Sequence, residues 1–344
     1  MIGIIIPTLN RADFLIRQLR YYQNHAPDMT VYVGDSSDGG ERARTLRAID
    51  GIRGLHIEHS DCRGLCLQET IVKLISTVQE AYCVGAGDDD YLVPNSLRKC
   101  ERFLEENLGY RTAQGRAIQF VLGNAEPYGK VSALGDYWNA PAAEENSACA
   151  RLLNYASDYW VPHFSVHRTA EFLGDFSPFA TLSDPSFSCE LAPNFTAIAR
   201  GKSKFIDSLY LARQVHERRY ALPITMEWLA SPTWYPAYKT LERELIDILV
   251  GLDGISEDRA RAVVLDCFSN YLANSFKKQN PLSISPRTRL VRFIRRNAPA
   301  LLQTAKSMRD VWLPSSVLTL NRLRQTASPY HADFAQIKHS LDNG

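Results

Sequence analysis

The sequence opens with MIGIIIPTLNRADFLIRQLRYYQNHAPDMTVYVGDSSDGG over residues 1–40. Residues 2–6 are mostly β-branched, which favours a strand, and the apolar residues of 12–24 recur at the spacing of a helix. A second β-branched run at 30–33 ends in a polar, glycine-rich stretch at 34–40. The order of strand, helix and strand predicts a βαβ unit, from which parallel sheets are built.

The same alternation continues along the first half of the chain. Strands are predicted at 55–58, 81–84 and 118–122, and helices at 69–78 and 97–108. Residues 123–150 are expected to be loop-like, and one helical window stands out at 190–199. Beyond residue 241 the pattern is helical, at 241–252, 258–276 and 288–297. We therefore predict an α/β fold with a mostly parallel central sheet flanked by helices, followed by a C-terminal helical region.

The composition is that of an ordinary globular protein. The 344 residues are 45% hydrophobic and 22% charged, enough for two domains of about 150 residues each. Lysine and arginine number 39 against 38 aspartates and glutamates, so the overall charge gives no reason to expect a nucleic-acid partner. No apolar run reaches the roughly 18 residues of a membrane-spanning helix, and the seven scattered cysteines are expected to be reduced thiols. These features predict a cytoplasmic protein.

Polar side chains follow four of the predicted strands. They are Thr8 and Asn10, Asp35 and Asp38, Asp61 and Arg63, and Asp88, Asp89 and Asp90. In an open α/β sheet the ligand lies outside the carboxyl ends of the strands, so these residues are expected to share one polar rim. Three consecutive carboxylates repel one another unless a cation neutralises them. The triplet therefore indicates either a Mg²⁺ or Mn²⁺ ion that bridges the protein to a diphosphate, or a solvated acidic turn.

Three stretches in series resemble the successive signatures of family 2 glycosyltransferases with the GT-A fold: IIPTLNR at 5–11, VGDSSDG at 33–39 and GDDDYLVPNSL at 87–97. The resemblance covers about residues 1–220, which implies a GT-A catalytic domain there and a mainly helical, basic region at 221–344. It implies that the nucleotide-sugar donor is bound by Pro7, Thr8, Asn10, Arg11, Asp35, Ser37, Asp38, Arg63, Gly64, Asp88 and Asp89. Among these, Thr8 and Asn10 would border the nucleotide, Asp35 would recognise the base and Asp38 would lie near the ribose.

The acidic triplet departs from the usual pattern of the family, because Gly87 stands where the first aspartate is expected. We interpret Asp90 as a metal ligand and Asp88 as a metal or ribose contact, with Asp89 between them. The loop at Arg63 and Gly64 would lie against the nucleotide, or would be an ordinary surface turn.

Inverting glycosyl transfer needs a base that deprotonates the acceptor hydroxyl. The family supplies it from a Glu-Asp pair at the start of a helix, followed about eleven residues later by glycine. Here Glu190 stands in the place of that aspartate, Cys189 replaces the glutamate, and Gly201 follows at the expected spacing. Glu190 is the predicted base, or else an acid in the first turn of a helix. Asp184 is the second candidate, or a helix cap or turn residue.

Histidines and aromatic residues form the remaining candidates. The stretch YLARQVH at 210–216 is similar to the block that ends many such domains, which implies that His216 completes the metal shell or touches the diphosphate. His163 and His167 are expected in extended chain, as structural or acceptor-site residues. An acceptor platform, or a share of the core, is predicted for Tyr137, Trp138, Tyr155, Tyr159, Trp160 and Phe164.

The C-terminal region is strongly basic. Between 277 and 324 eleven lysines and arginines face one acid, Asp310. With apolar residues between them, they fit a helical part that rests on an anionic membrane surface, or a basic helix packed on the catalytic domain or in an oligomer interface.

These observations lead to one functional expectation and one alternative. The expectation is a metal-dependent, inverting glycosyltransferase that uses Mn²⁺ or Mg²⁺ and moves a sugar, most readily from a UDP-sugar, to a hydroxyl of a glycan or lipid-linked saccharide. It would work in the cytoplasm or at the inner face of the membrane. The alternative is a non-catalytic sugar-nucleotide binder or scaffold, because the Glu-Asp pair is missing and the register of the triplet is shifted. Oligomeric state is left open.

Overall fold

The computed structural model describes residues 1–123, 126–138, 141–218, 223, 225–279 and 318–342. Its strands are β1 (Ile2–Thr8), β2 (Thr30–Asp35), β3 (His56–Asp61), β4 (Tyr82–Gly85), β5 (Tyr91–Leu92), β6 (Tyr110–Leu122), β7 (Val131–Trp138), β8 (Val166–Arg168) and β9 (Lys202–Gln214). Its helices up to β9 are α1 (Ala12–His25), α2 (Gly39–Gly51), α3 (Leu67–Thr77), α4 (Pro94–Glu106), α5 (Ala148–Ser157), α6 (Thr169–Phe176) and α7 (Ala192–Arg200). After β9 follow α8 (Thr225–Leu229), α9 (Trp234–Asp253), α10 (Glu257–Gln279), α11 (Leu320–Arg324) and α12 (His331–Asp342).

The strands form one sheet in the order β3-β2-β1-β4-β8-β6-β9-β5, with β7 paired to β6. The first four strands are parallel, and β6 also runs parallel to β9. The short strands β5 and β8 and the edge strand β7 are antiparallel to their neighbours. Most paired residues belong to parallel ladders, so the predicted α/β fold with a mostly parallel central sheet is confirmed.

The sheet is buried because helices cover it. The apolar side chains of β1 point alternately into two cores, with Ile4 and Ile6 packed among residues of α1 and α4, and Ile5 packed with those of α3 and α6. This two-sided burial explains why β1 reads as a continuous apolar run. It also leaves the carboxyl ends of β1, β2 and β4 as the polar edge at which a ligand can enter.

The loop prediction for 123–150 was wrong. The segment contains β7 and the start of α5, which Ser147 caps by accepting a hydrogen bond from the Ala150 N–H. Most of β7 is only partly buried and its sequence mixes Ser, Gly and Asp with apolar residues, so the strand lacks a clear alternation. Strand β6 begins well before the predicted residue 118, because the polar residues near its start find buried partners, as with Arg111 and Asp175.

The described C-terminal helices pack on the rest of the chain. Helices α9 and α10 share a core with α5 and α7. Helix α12 returns to the core of β1, where Phe334, Ile337 and Leu341 are buried. The predicted helix at 288–297 and most of the basic residues between 277 and 324 lie outside the described residues. Within the described part of the chain, no helix is both long and apolar enough to cross a membrane.

Candidate active site

The carboxyl ends of β1 and β2 are joined by hydrogen bonds of residues that the sequence singled out. Asn10 has a left-handed backbone with φ +54°, a conformation that asparagine tolerates better than most residues. Its side chain donates to Asp38 Oδ2 at 2.9 Å and accepts from the Asp38 N–H at 2.9 Å. The Asn10 N–H donates to Ser37 Oγ at 2.8 Å. This loop therefore has a fixed shape beside the first cavity described below.

Asp35 lies beneath this loop. It is fully buried, accepts a hydrogen bond from the Ser37 N–H at 2.8 Å and has His59 Nε2 3.3 Å from its carboxylate. Burial would raise the pKa of Asp35, but the hydrogen bonds with His59 and Ser37 lower it below the usual value. The side chain at the cavity wall is that of the next residue, Ser36.

The acidic triplet follows β4 in a tight turn. The Asp90 N–H bonds to the Gly87 carbonyl at 3.2 Å, and the side-chain amide of Gln18 on α1 donates to the carbonyls of Gly87 and Asp90 at 2.8 and 2.7 Å. A Cβ atom at Gly87 would lie only 2.7 Å from Asp89 Oδ1 and 3.0 Å from Asp90 Oδ2. Glycine thus takes the place of the expected aspartate because two carboxylates fold back over this position.

Each carboxylate of the triplet has a cation of the chain beside it. Asp88 accepts from Thr8 Oγ1 at 2.7 Å and from Arg11 Nε at 3.1 Å. Asp89 accepts from Arg11 Nη1 at 3.0 Å and has His216 Nε2 at 2.7 Å. Asp90 and Arg213 form the third pair, described next. The mutual repulsion predicted from the sequence is therefore offset largely by side chains of the protein.

Arg213 of β9 connects the triplet to the aromatic residues. Its Nε donates to Asp90 Oδ2 at 3.0 Å and its Nη1 to the Tyr137 hydroxyl at 2.6 Å. The guanidinium also lies over the rings of Tyr137 and Phe164, 4.8 and 4.6 Å from their centroids. Burial opposes the charge of Arg213, but Asp90 and its neighbours raise the pKa of the guanidinium, so it stays protonated.

The three carboxyls differ in acidity. Burial raises the pKa of Asp88 to about 7, against the charge of Arg11, and that of Asp90 to about 6, against the charge of Arg213. Burial acts on Asp89 in the same direction, but the hydrogen bond with His216 and the charge of Arg11 lower its pKa to about 2. Asp89 is therefore the carboxyl of the three that holds its negative charge over the widest pH range.

Two adjoining cavities lie at this edge, and both are lined by Pro7, Arg11 and Leu67. The first, about 600 Å³, is also lined by residues 8–10 at the end of β1, by residues before and within the first turn of α3, and by Ser36, Pro185 and Arg218. The second, about 460 Å³, is also lined by Gly87 and Asp89 of the acidic turn, by Arg213 with Tyr137 and Phe164 beside it, and by His163, Cys189 and Glu190. Asp89 is the member of the triplet that reaches this wall.

Glu190 stands in a widened helical turn, Phe187–Leu191, that precedes α7. Pro193 has no N–H to donate to the carbonyl four residues earlier, and the Ala192 N–H bonds instead to Phe187, five residues back. Tyr159 donates a hydrogen bond to Glu190 Oε1 at 2.8 Å. Burial raises the pKa of Glu190, although this hydrogen bond and the charge of Arg213 oppose the shift. The predicted base is thus brought to the second cavity.

The other predicted base, Asp184, lies in a different environment. Its carboxylate accepts hydrogen bonds from Trp228 Nε1 at 3.1 Å, Thr233 Oγ1 at 3.0 Å and the Phe187 N–H at 3.1 Å, and it is buried. Asp184 lines neither cavity. It caps the turn that carries Glu190, which is the structural alternative considered for it.

Arg63 and Gly64 also fail to reach the cavities. Arg63 donates to Asp61 Oδ2 at 2.8 Å, and its side chain is 60% exposed. Gly64 has φ +82°, so this is a surface turn that needs glycine. Arg218, two residues after His216, lines the first cavity, although the sequence analysis did not select it.

The predicted aromatic platform is divided between wall and core. Tyr137 and Phe164 line the second cavity and Tyr159 holds Glu190, whereas Tyr155 and Trp160 are buried in the core of α5 and α7. Trp138 is only partly buried and donates from Nε1 to the Gly115 carbonyl at 2.9 Å.

His163 and His167 are buried and are not on one helix. His163 lies in a short 3₁₀ turn and reaches the cavity, while Nε2 of His167 in β8 lies 2.7 Å from the Pro162 carbonyl. Burial lowers the pKa of His163 to about 4 and that of His167 to about 3, so both are neutral near pH 7. The expected extended chain is confirmed for His167, which lies in β8, and was wrong for His163, which lies in the 3₁₀ turn that begins at Pro162.

His216, one of the predicted metal residues, adjoins Asp89 in the structure. Asp88 and Asp89 both accept from Arg11 and Asp90 accepts from Arg213, and Asp89 with His216 beside it lines the second cavity. In the described part of the chain, no group of three or more His, Cys, Asp or Glu side chains could hold a metal ion. Carboxylate and imidazole are both ligands that Mn²⁺ accepts, so this pair fits a cation whose remaining ligands come from a diphosphate.

Comparison with known proteins gives similarity at the level of structure. No family model and no curated protein matches the sequence. The crystal structure of S. aureus TarS 1-349 matches with 13% identity and a TM-score of 0.51, over 84% of this chain and 76% of that one. TarS 1-349 in complex with UDP-GlcNAc matches with 13% identity and a TM-score of 0.51, over 84% and 77% of the two chains.

A weaker match, to the mannosyltransferase PcManGT from Pyrobaculum calidifontis in complex with GDP-Man and Mn²⁺, has 12% identity over 98% of this chain and 86% of that one. Its TM-score is 0.43. At these identities the similarity to TarS shows that the α/β fold is shared.

Proposed function

We propose that this protein is a GT-A glycosyltransferase of family 2 that transfers a sugar from a nucleotide-diphosphate donor, with UDP-sugars as the first class to test, to an acceptor hydroxyl. The observation that carries the proposal is the second cavity, whose lining brings together Asp89, Arg213 and Glu190 with the aromatic side chains of Tyr137 and Phe164. The sharing of the fold with a protein crystallised with UDP-GlcNAc agrees with it.

The first cavity is suited to the nucleotide. It lies at the carboxyl ends of β1 and β2, where α/β sheets bind nucleotides, and Arg11 and Arg218 supply positive charge on its wall. Arg11 also lines the second cavity. A diphosphate that crosses from one cavity to the other would therefore pass this guanidinium, which can stabilise the negative charge of the leaving group.

Glu190 is proposed as the general base of an inverting reaction. The acceptor oxygen forms a bond to the anomeric carbon, the bond from that carbon to the diphosphate oxygen breaks, and the hydroxyl proton passes to Glu190. A carboxyl whose pKa is raised by burial is a stronger base than an exposed one. Tyr159 holds Glu190 Oε1, so its other oxygen remains to accept the proton.

A divalent cation, Mn²⁺ or Mg²⁺, is proposed to bind together with the donor at Asp89 and His216. When bound, it would supply positive charge to the diphosphate. The acceptor, a glycan or lipid-linked saccharide, would enter beside Tyr137 and Phe164, whose rings can stack on the apolar face of a sugar. Attachment to an anionic membrane surface through the basic C-terminal region, and a cytoplasmic location, remain proposals from the sequence.

The experiment is a panel of nucleotide sugars with Mn²⁺, Mg²⁺ or EDTA, in which binding is followed by thermal shift and turnover by released nucleotide. Glu190→Gln should retain donor binding and lose turnover by about 10²- to 10⁴-fold. Glu227→Gln, on an exposed residue, is the matched control and should behave like wild type. Donor binding without turnover in wild type, with any acceptor, would support the alternative of a non-catalytic sugar-nucleotide binder. Binding of no nucleotide sugar would refute the proposal.

A further inference from the structure

A third cavity, of about 160 Å³, lies between α1 and α12 and shares no lining residue with the first two. Its lining is rich in hydrogen-bond donors: Arg17, Arg20, Tyr21, Asn24 and His25 of α1, with His339 of α12. None of the described residues that line it is an aspartate or glutamate. Two arginines and no acidic residue therefore stand among its described lining residues, and its size suits a small ion.

Arg17 is the buried cation of this cavity. It is 1% exposed, and its hydrogen-bond acceptors are the neutral oxygens of Pro127, Gln214 and Asp89. Its guanidinium also lies 4.9 Å from the centroid of the Tyr91 ring, which offsets only part of the cost of burying a charge. Within the described residues, no carboxylate forms an ion pair with Arg17.

Three further observations indicate that a ligand is expected here. Among the described residues, neither the Arg17 Nε–H nor the Tyr21 hydroxyl has a hydrogen-bond partner, and both groups are buried. Arg20 is exposed, and no described residue pairs with it. Arg17 and Arg20 stand three residues apart on α1, a spacing at which like charges repel. An anion between them would neutralise both and accept from the unpaired groups.

We propose that this cavity is a binding site for a phosphate-class oxyanion, either the free ion or the phosphate group of a larger ligand. Such an ion has several strong acceptor oxygens, and arginine pairs with it through parallel hydrogen bonds. Arg17 Nη2 donates to the Asp89 carbonyl at 2.9 Å and Nη1 to Gln214 Oε1 at 2.6 Å. A bound oxyanion would therefore also fix the guanidinium that supports the Asp89 turn. The argument is independent of the proposed function.

The test is isothermal titration calorimetry of the full chain with inorganic phosphate in a zwitterionic buffer of low ionic strength. Wild type should bind, and Arg20→Gln should weaken binding by about tenfold or more, the loss expected for one charge-assisted hydrogen bond. Arg20 is exposed and has no partner among the described residues, so this variant should fold normally. Arg47→Gln removes an exposed arginine of α2 that lines none of the three cavities, and it should leave phosphate affinity unchanged.

Absence of phosphate binding, or equal affinity of Arg20→Gln and wild type, would overturn the proposal. So would an equal loss in Arg47→Gln, because the effect would then come from the overall charge and not from this cavity. A second titration, with glycerol phosphate, distinguishes the two sources. If glycerol phosphate binds and Arg20→Gln weakens that binding, the site takes the phosphate group of a larger ligand. If inorganic phosphate binds and glycerol phosphate does not, the site takes the free ion.

Discussion

Replacing Tyr159 with phenylalanine should raise the pKa of Glu190 and thereby shift the pH profile of the proposed reaction. The substitution removes the hydroxyl that donates to Glu190 Oε1 at 2.8 Å and keeps the ring, which packs between Phe195 and Tyr271. A hydrogen bond to a charged group contributes about 1.5–3 kcal/mol, and one pKa unit corresponds to about 1.4 kcal/mol. The loss should therefore raise the pKa of Glu190 by about one to two units.

The sign of the effect follows from the role of the base. Glu190 accepts a proton only when ionised, so activity falls as the pH drops through its pKa, which burial already places above the ordinary value of 4.5. In Tyr159→Phe the acid limb of kcat/KM should lie about one to two pH units higher, with a plateau near that of wild type at high pH. Tyr271→Phe is the control, because its ring also packs on Tyr159 and its hydroxyl interacts with Ser275. An acid limb that stays in place in Tyr159→Phe, or moves equally in both variants, would show that Glu190 is not the base.

Three other predictions concern the frame of the site. Gly85→Ala would place a Cβ atom in collision with Nε2 of the buried His163, so chemical denaturation should show a free energy of unfolding lower by about 1–3 kcal/mol. Gly40→Ala is the control, because a Cβ atom there meets open space and the free energy of unfolding should not fall. Asp184→Asn should lower the free energy of unfolding by about 1–3 kcal/mol, because Asp184 caps a turn. Turnover per folded molecule should stay close to wild type, because Asp184 does not line the second cavity. A loss of turnover at unchanged donor affinity and stability would make Asp184 the base. Arg218→Gln should weaken nucleotide binding by about tenfold in equilibrium titration, and an unchanged affinity would remove the nucleotide from the first cavity.

The parts of the fold that could be predicted are those in which local pattern and burial agree. Strand β1 is covered on both faces and reads as a continuous apolar run, so its position followed from residues 2–6. Strand β7 lies at the side of β6 with most of its residues only partly buried, and its pattern gave no strand. The start of β6 was missed for a different reason. Its polar side chains are satisfied by partners distant in sequence, as Arg111 is by Asp175, and such pairs are not visible from local pattern.

The candidate site shows the same division. The triplet was correctly expected at the carboxyl end of β4, and the spacing from Glu190 to Gly201 led to the carboxylate that lines the second cavity. Which member of the triplet faces that cavity could not be predicted from the sequence. Arg11 pairs with both Asp88 and Asp89 from 77 and 78 residues away, and Arg213 pairs with Asp90 from 123 residues away, so the orientation of each carboxylate depends on partners distant in sequence.

The charge balance of the triplet also decides where a metal requirement should appear. Three adjacent carboxylates were expected from the sequence to need a cation. In the structure, Arg11 and Arg213 form ion pairs with them, and His216 lies beside Asp89. Two guanidiniums therefore oppose three carboxylates, of which Asp88 and Asp90 have raised pKa values, and we expect the donor-free protein to fold without a metal. A diphosphate bound beside Asp89 would add about two negative charges to a cavity in which water screens charges poorly. Its repulsion from the Asp89 carboxylate would then have to be offset. A divalent cation should consequently strengthen donor binding. EDTA should leave the melting temperature of the donor-free protein unchanged, and a donor-free protein that melts at a lower temperature in EDTA would contradict this account.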